Sequence, residues 1–164
     1  MNENDSTCLT AVVGGGAAGL MAAISAALVF KNESRPPAVQ FPVILLEKAD
    51  RVGRKLLATG NGRCNLSNRD QSADHYHGHD PEFISSVLDR FPLEKTISFF
   101  RGLGLLCRTE EDGRIYPFSL QASAVLDLLR RAADHLGVCT LTAFTASEIR
   151  FTIDHGISCL IYAA

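Results

Sequence analysis

Residues 11–30 read AVVGGGAAGLMAAISAALVF. A short apolar run, residues 9–13, stops at Gly14, and strong helix formers then continue to Phe30. That order predicts a strand, a tight turn and a helix. Inside the turn, Gly14, Gly16 and Gly19 form G-x-G-x-x-G. In this spacing the first glycine permits the sharp bend, the second lets a phosphate approach the backbone, and the third lets the helix pack close to the strand. The N–H groups at the helix start, across Gly14, Gly15, Gly16, Ala17, Ala18 and Gly19, would then face a pyrophosphate at the positive end of the helix dipole. A chance glycine cluster at a strand-helix turn is the competing reading, and the surroundings of the motif have to decide between them.

Working outward, residues 31–41 hold charges and Pro36-Pro37 and read as a surface connection. Residues 43–47 follow as a second strand, which completes a β-α-β unit and ends in the acid Glu47. An acid at this place is suited to accept hydrogen bonds from ribose hydroxyls. It favours FAD or NAD over NADP, whose 2′-phosphate it would repel. Taken alone, Glu47 reads equally as a surface glutamate.

A second polar stretch, RVGRKLLATGNGRCNLSN at residues 51–68, begins a few residues later and so lies near the same end of the sheet. Arg54, Lys55 and Arg63 can offset phosphate charge, and Gly60 and Gly62 expose backbone N–H donors. Asn61 and Asn65 each carry a donor and an acceptor, which the edge of a flavin or adenine ring requires. The alternative is a plain hairpin turn at Asn61-Gly62. It is weakened because the flanks do not alternate as paired strands would.

Further on, Asp80-Pro81-Glu82 is an N-cap with proline in the first turn, opening a helix to about Phe91. Pro92 stops it and starts another, ending near Gly102 and Gly104. Asp112-Gly113 sits between two β-prone runs and predicts a hairpin. A helix is expected from Ser119, closed by Gly137, followed by three strands with a turn at Asp154-His155-Gly156.

Together GGGAAG, LLEKADRVGRKLLATGNGRCNLSN and GRIYPFSLQASAVLDLL resemble the N-terminal part of the bacterial aminoacetone-oxidase-family FAD-binding proteins, a group of NAD(P)/FAD-dependent oxidoreductases that includes the BaiN-like flavoproteins. The first motif is shared by many flavoproteins; G-R-K followed by T-G-N-G-R-C-N is far more specific. The resemblance covers nearly the whole chain from Ala11. It implies that Gly14 to Gly19 hold the FAD pyrophosphate, that Glu47 binds the adenosine ribose with Lys48 beside it, and that Arg54 and Lys55 line the cofactor cleft. Gly60, Asn61, Gly62, Arg63, Cys64 and Asn65 would run toward the flavin. The family's third FAD-domain strand would follow Gly137-Val138, and a backbone group near Ala146 would meet the adenine. NAD(P)H is a candidate electron donor. The family's later FAD-closing segment and substrate domain have no counterpart here, and the chain stops at CLIYAA within an apolar strand, so a fragment is expected.

Composition narrows the rest. The 164 residues suit one domain, 46% of them are hydrophobic, and the net charge is −2 with bases spread along the chain, so nucleic acid is not the expected partner. The start MNENDSTCLT lacks the pattern of a secretory leader, and no apolar run is long enough to span a bilayer, so a cytoplasmic protein without membrane partners is expected. Five scattered cysteines, with no C-x-x-C pair, read as reduced thiols, and Cys64 as a packing residue rather than a redox group. His75, His77 and His79 alternate as metal ligands on a strand would, but their polar surroundings favour a solvated loop, and no metal is expected.

The expectation is therefore an α/β fold: a Rossmann-like FAD-binding domain of the two-dinucleotide-binding flavoprotein type, with helical and β-meander additions, residues 1–164 forming its N-terminal part. Its expected function is FAD-dependent redox chemistry on a small molecule, with no catalytic side chain evident. Two alternatives stay open: a truncated dinucleotide-binding fragment without activity of its own, and an NAD-linked dehydrogenase. Oligomeric state is not legible.

Overall fold

The structure, a computed structural model, describes residues 8–31, 39–153 and 157–163. In chain order the elements are β1 (Cys8–Val13), α1 (Ala17–Phe30), β2 (Phe41–Leu46), α2 (Arg54–Ala58), β3 (Ser67–Asn68), α3 (Pro81–Arg90), α4 (Leu93–Gly102), β4 (Cys107–Thr109), β5 (Arg114–Pro117), α5 (Ala122–His135), β6 (Cys139–Leu141), β7 (Ala146–Ile153) and β8 (Ile157–Ala163). A tight turn with left-handed Gly60 and Asn61 occupies Thr59–Gly62, and a single 3-10 turn occurs at Ala73–His75. The Pro36-Pro37 connection and the turn expected at 154–156 lie outside the described residues. The chain forms two compact units, residues 1–55 with 129–164, and residues 56–128.

The first unit carries a parallel sheet in the order β1-β2-β6. Its middle strand, FPVILL, is apolar throughout, as a parallel strand covered on both faces requires. Val43, Ile44, Leu45 and Leu46 are all buried, each worth roughly 1.5–3 kcal/mol of apolar transfer. Proline in a central strand would break the ladder, but Pro42 precedes Ile44, where pairing with β6 begins. Helix α1 buries Leu20, Ala23, Ile24 and Ala27, an i, i+3, i+4, i+7 stripe whose two alanines bring its axis close to the sheet. The third parallel strand follows Gly137-Val138, with Gly137 at φ 75 and the Val138 N–H returning to the Ala133 carbonyl, so left-handed glycine ends α5 and turns the chain into β6. Strands β7 and β8 pair antiparallel, with an irregularity between Ala146 and Glu148.

In the second unit β3, β5 and β4 form an antiparallel sheet in the order β3-β5-β4. The expected hairpin is present: Gly113 adopts φ 83, and Arg114 binds back to Asp112 through both backbone and guanidinium. Asp80 caps α3 through its carboxylate on the Phe83 N–H, with Pro81 as the first helical residue. Pro92 separates α3 from α4.

Two expectations need correction. The helix expected from Ser119 begins at Ala122, because Leu120 sits at φ 54, its N–H bonded to the Pro117 carbonyl. A left-handed residue cannot belong to a right-handed helix. Strand β2 ends at Leu46, which leaves Glu47 just beyond it. The alternative hairpin at Asn61-Gly62, already weakened by its flanks, is absent: the pair lies in a left-handed turn that directly follows α2. No helix among the described residues is long and apolar enough to cross a membrane.

Candidate functional site

In the first unit, the glycine turn is fastened from three sides. Gly14 adopts φ 102 and donates its N–H to the Leu46 carbonyl at 2.7 Å, which ties the end of β1 to the end of β2. Gly15 donates to Glu47 Oε2 at 2.6 Å, and its carbonyl accepts the Gly53 N–H at 2.8 Å. A Cβ on Gly15 would lie 2.6 Å from Val52 Cγ1 and 3.0 Å from Glu47 Cβ, so only glycine fits beneath residues 47–53. Gly16 meets nothing within 4 Å where a side chain would be, which leaves a cradle open above the turn.

Helix α1 starts on this cradle with Gly16 as its N-cap. No side chain caps it and no acid lies in its first turn. The first intrahelical bond is Leu20 N–H to the Gly16 carbonyl, so the N–H groups of Ala17, Ala18 and Gly19 have no partner within the helix. Partial positive charge at an uncapped helix start, with glycine in place of side chains, is a site for an anion.

Glu47 does more than the sequence suggested. One carboxylate oxygen holds Gly15, the other accepts the Ala49 N–H at 2.8 Å, and the residue's own N–H binds the Leu141 carbonyl. Each carboxylate oxygen accepts more than one hydrogen bond, so capacity for ribose hydroxyls remains. Lys48, beside it, is exposed. Arg54 and Lys55 follow Gly53 directly, are exposed, and have no side-chain partner among the described residues. The Glu47 carbonyl accepts the Phe144 N–H and the Ala49 carbonyl accepts that of Ala143, which places Ala146 two residues beyond the strand-end acid's own contacts.

In the second unit, residues 60–64 hold four left-handed positions: Gly60 at φ 55, Asn61 at 54, Gly62 at 81 and Cys64 at 59. For the two non-glycine residues this conformation costs about 1–2 kcal/mol each. The turn is closed by the Cys64 N–H on the Thr59 carbonyl and the Arg63 N–H on the Gly60 carbonyl. The side-chain amides of Asn61 and Asn65 are exposed and make no hydrogen bond among the described residues. Cys64 is buried, and burial pushes its thiol pKa up. A thiol in that state packs rather than reacts. Cys107 and Cys139 are likewise raised by burial.

The three histidines do not share a strand face. His75 ends a 3-10 turn and pairs with Asp70 at 2.8 Å, both exposed. No cluster able to hold a metal occurs among the described residues. The Asp70 hydrogen bond and charge raise the His75 pKa above the ordinary imidazole value. A raised folded-state pKa means the pair contributes stability below the unfolded value and loses it as pH rises through the folded one. An NMR titration should therefore place the His75 midpoint above the ordinary imidazole value, and Asp70→Asn should lower it.

Sequence reasoning missed α2, the Gly53-to-Gly15 bond, the Val52 packing and the second duty of Glu47. Only the run Leu56-Leu57-Ala58 hinted at the short helix.

Residues 8–160 match the family described as HI0933-like protein Rossmann domain. Over 118 residues the chain is 46% identical to a 3-dehydro-bile acid delta(4,6)-reductase of Clostridium scindens, an overlap of 72% of this chain and 27% of that protein. It is 27% identical over 138 residues to a ribosomal RNA dihydrouridine synthase of Haemophilus influenzae, covering 84% of this chain and 32% of the relative. The chain thus spans under a third of the length of either relative. Among solved structures, the 3-ketosteroid-delta4-(5alpha)-dehydrogenase of Rhodococcus jostii RHA1 shares the fold, with a TM-score of 0.63 at 16% identity over 99% of this chain and 44% of that one.

Proposed function

The chain belongs to the HI0933-like Rossmann family, and from that premise we propose that it binds FAD as the N-terminal dinucleotide-binding portion of an FAD-dependent oxidoreductase. The observation that carries this is the uncapped start of α1 above Gly16, open where any side chain would stand. A pyrophosphate fits such a cradle through backbone N–H groups alone.

In this proposal Gly14, Gly15, Gly16, Ala17, Ala18 and Gly19 take the pyrophosphate, Glu47 the adenosine ribose with Lys48 beside it, and Ala146 the adenine. The exposed Arg54 and Lys55 supply charge next to Gly53. The turn at residues 60–65 is assigned to the ring system, with Asn61 and Asn65 as its free amides. The bound isoalloxazine would supply the redox chemistry, with the residues named here binding and orienting it.

For the whole protein we propose redox of a small molecule, with NAD(P)H as electron donor. The name of the 46% identical relative, a reductase of a bile acid derivative, supports a small-molecule substrate. Equilibrium titrations with FAD and with NADP+ test the cofactor assignment. FAD should saturate at one per chain, and NADP+ should not compete with it. Saturation by NADP+ alone would reject FAD, because Glu47 would then be tolerating a 2′-phosphate.

A further inference from the structure

We propose that Tyr116 and Glu110 are positioning residues for the turn at 59–65, acting on it through Arg63. The inference rests on the reading that this turn meets the cofactor, and it changes what Arg63 does there. From the sequence Arg63 is a base available to a phosphate. In the structure its guanidinium is already engaged on three sides within the second unit.

The carbon of the guanidinium lies 4.5 Å from the centroid of the Tyr116 ring. Nη2 reaches the Tyr116 hydroxyl at 3.4 Å, Nη1 reaches Glu110 Oε1 at 3.5 Å, and Nε returns to the Gly60 carbonyl at 3.4 Å. Each hydrogen bond is long, but all converge on one planar group, and stacking on an aromatic face suits arginine in particular. Tyr116 is 1% exposed and sits on β5, the middle strand of its sheet, so it is a fixed platform. Gly60 is fitted to the same platform: a Cβ there would stand 3.1 Å from Tyr116 Cε1 and 2.8 Å from the Asn65 backbone nitrogen.

These contacts explain how a turn with left-handed Asn61 and Cys64 persists. Such conformations survive only where the surroundings over-determine them. Arg63 lies between the two strained residues and is clamped on the ring, so Asn61 and Asn65 are presented without using their own amides for support. A clamp of this kind preorganises a binding loop, which lowers the ordering cost when a ligand arrives.

The test reads the turn in two independent ways. The first is the alkylation rate of buried Cys64 by iodoacetamide, resolved by mass spectrometry, with Cys107 of the same unit as the internal reference. Arg63→Gln and Tyr116→Leu should each raise the Cys64 rate by about tenfold or more through local opening, while Cys107 stays unchanged. Tyr116→Phe keeps the ring and should stay near the parent rate. Glu110→Gln should fall between. If Tyr116→Leu does not fold, Arg63→Gln, whose side chain is one-third exposed, carries the same test. An unchanged Cys64 rate, or Cys64 and Cys107 rising together, overturns the positioning role.

The second reading compares FAD with riboflavin, which has no phosphate. A positioning role predicts that Arg63→Gln weakens both by the same factor. Weakened FAD with unaltered riboflavin would make Arg63 a phosphate ligand and overturn the inference. A parent protein that binds neither flavin removes the cofactor proposal, and the alkylation rates then decide the positioning role by themselves.

Discussion

Replacing Gly19 with alanine is expected to cost more than about 3 kcal/mol of folding stability, the largest effect of any single methyl group in the first unit. A Cβ at this position would overlap the Gly14 carbonyl oxygen and touch Val12 Cγ1 at 3.6 Å. The oxygen has little room to retreat, because the Gly14 N–H is bonded to the Leu46 carbonyl at the end of β2. Relief would require α1 to lift from β1, exposing Leu20 and Ala23. Denaturant unfolding measures the loss directly. Gly16→Ala is the control: nothing lies within 4 Å of its Cβ, so stability should change by less than about 1 kcal/mol while FAD affinity falls. Equal loss of stability in the two variants would mean that the turn is not built as described.

Glu47→Ala should be the next most damaging change, because it strips the acceptor from two backbone N–H groups at once. Gly15 and Ala49 would both lose a charge-assisted bond, at a cost of about 2–4 kcal/mol for the pair. With the ribose contact also removed, FAD affinity should drop by about 100-fold. Glu47→Gln separates the two roles. Its amide oxygen can serve only one of the two N–H groups, so stability should fall by roughly half as much. A Glu47→Ala protein of parent stability with weakened FAD binding would leave the ribose role alone standing. Parent affinity with lowered stability would leave only the structural one.

How far the sequence carries depends on the range of the forces involved. The β1-α1-β2 unit is legible because glycine spacing and apolar runs are local, and so are the Asp80-Pro81 cap and the Asp112-Gly113 hairpin. The turn at 59–65 is legible as a ligand loop from composition, yet its conformation is not. Asn61 and Cys64 adopt left-handed geometry because Tyr116, more than fifty residues later, fixes Arg63 between them. Similarly, Glu47 reads as an acid at a strand end, while its bond to Gly15 depends on how β1 and β2 align. Leu120 is unfavourable at positive φ and nothing local announces it, so the start of α5 is misplaced by three residues from Ser119 to Ala122. Long-range constraints that override propensity leave no mark in a local window.

The most direct test of the cofactor assignment is the visible absorption spectrum of the purified protein after incubation with FAD and removal of the unbound fraction. A retained flavin spectrum that disappears on Gly16→Ala, with folding intact, is the predicted result. A folded parent protein that remains colourless would contradict FAD binding by this chain.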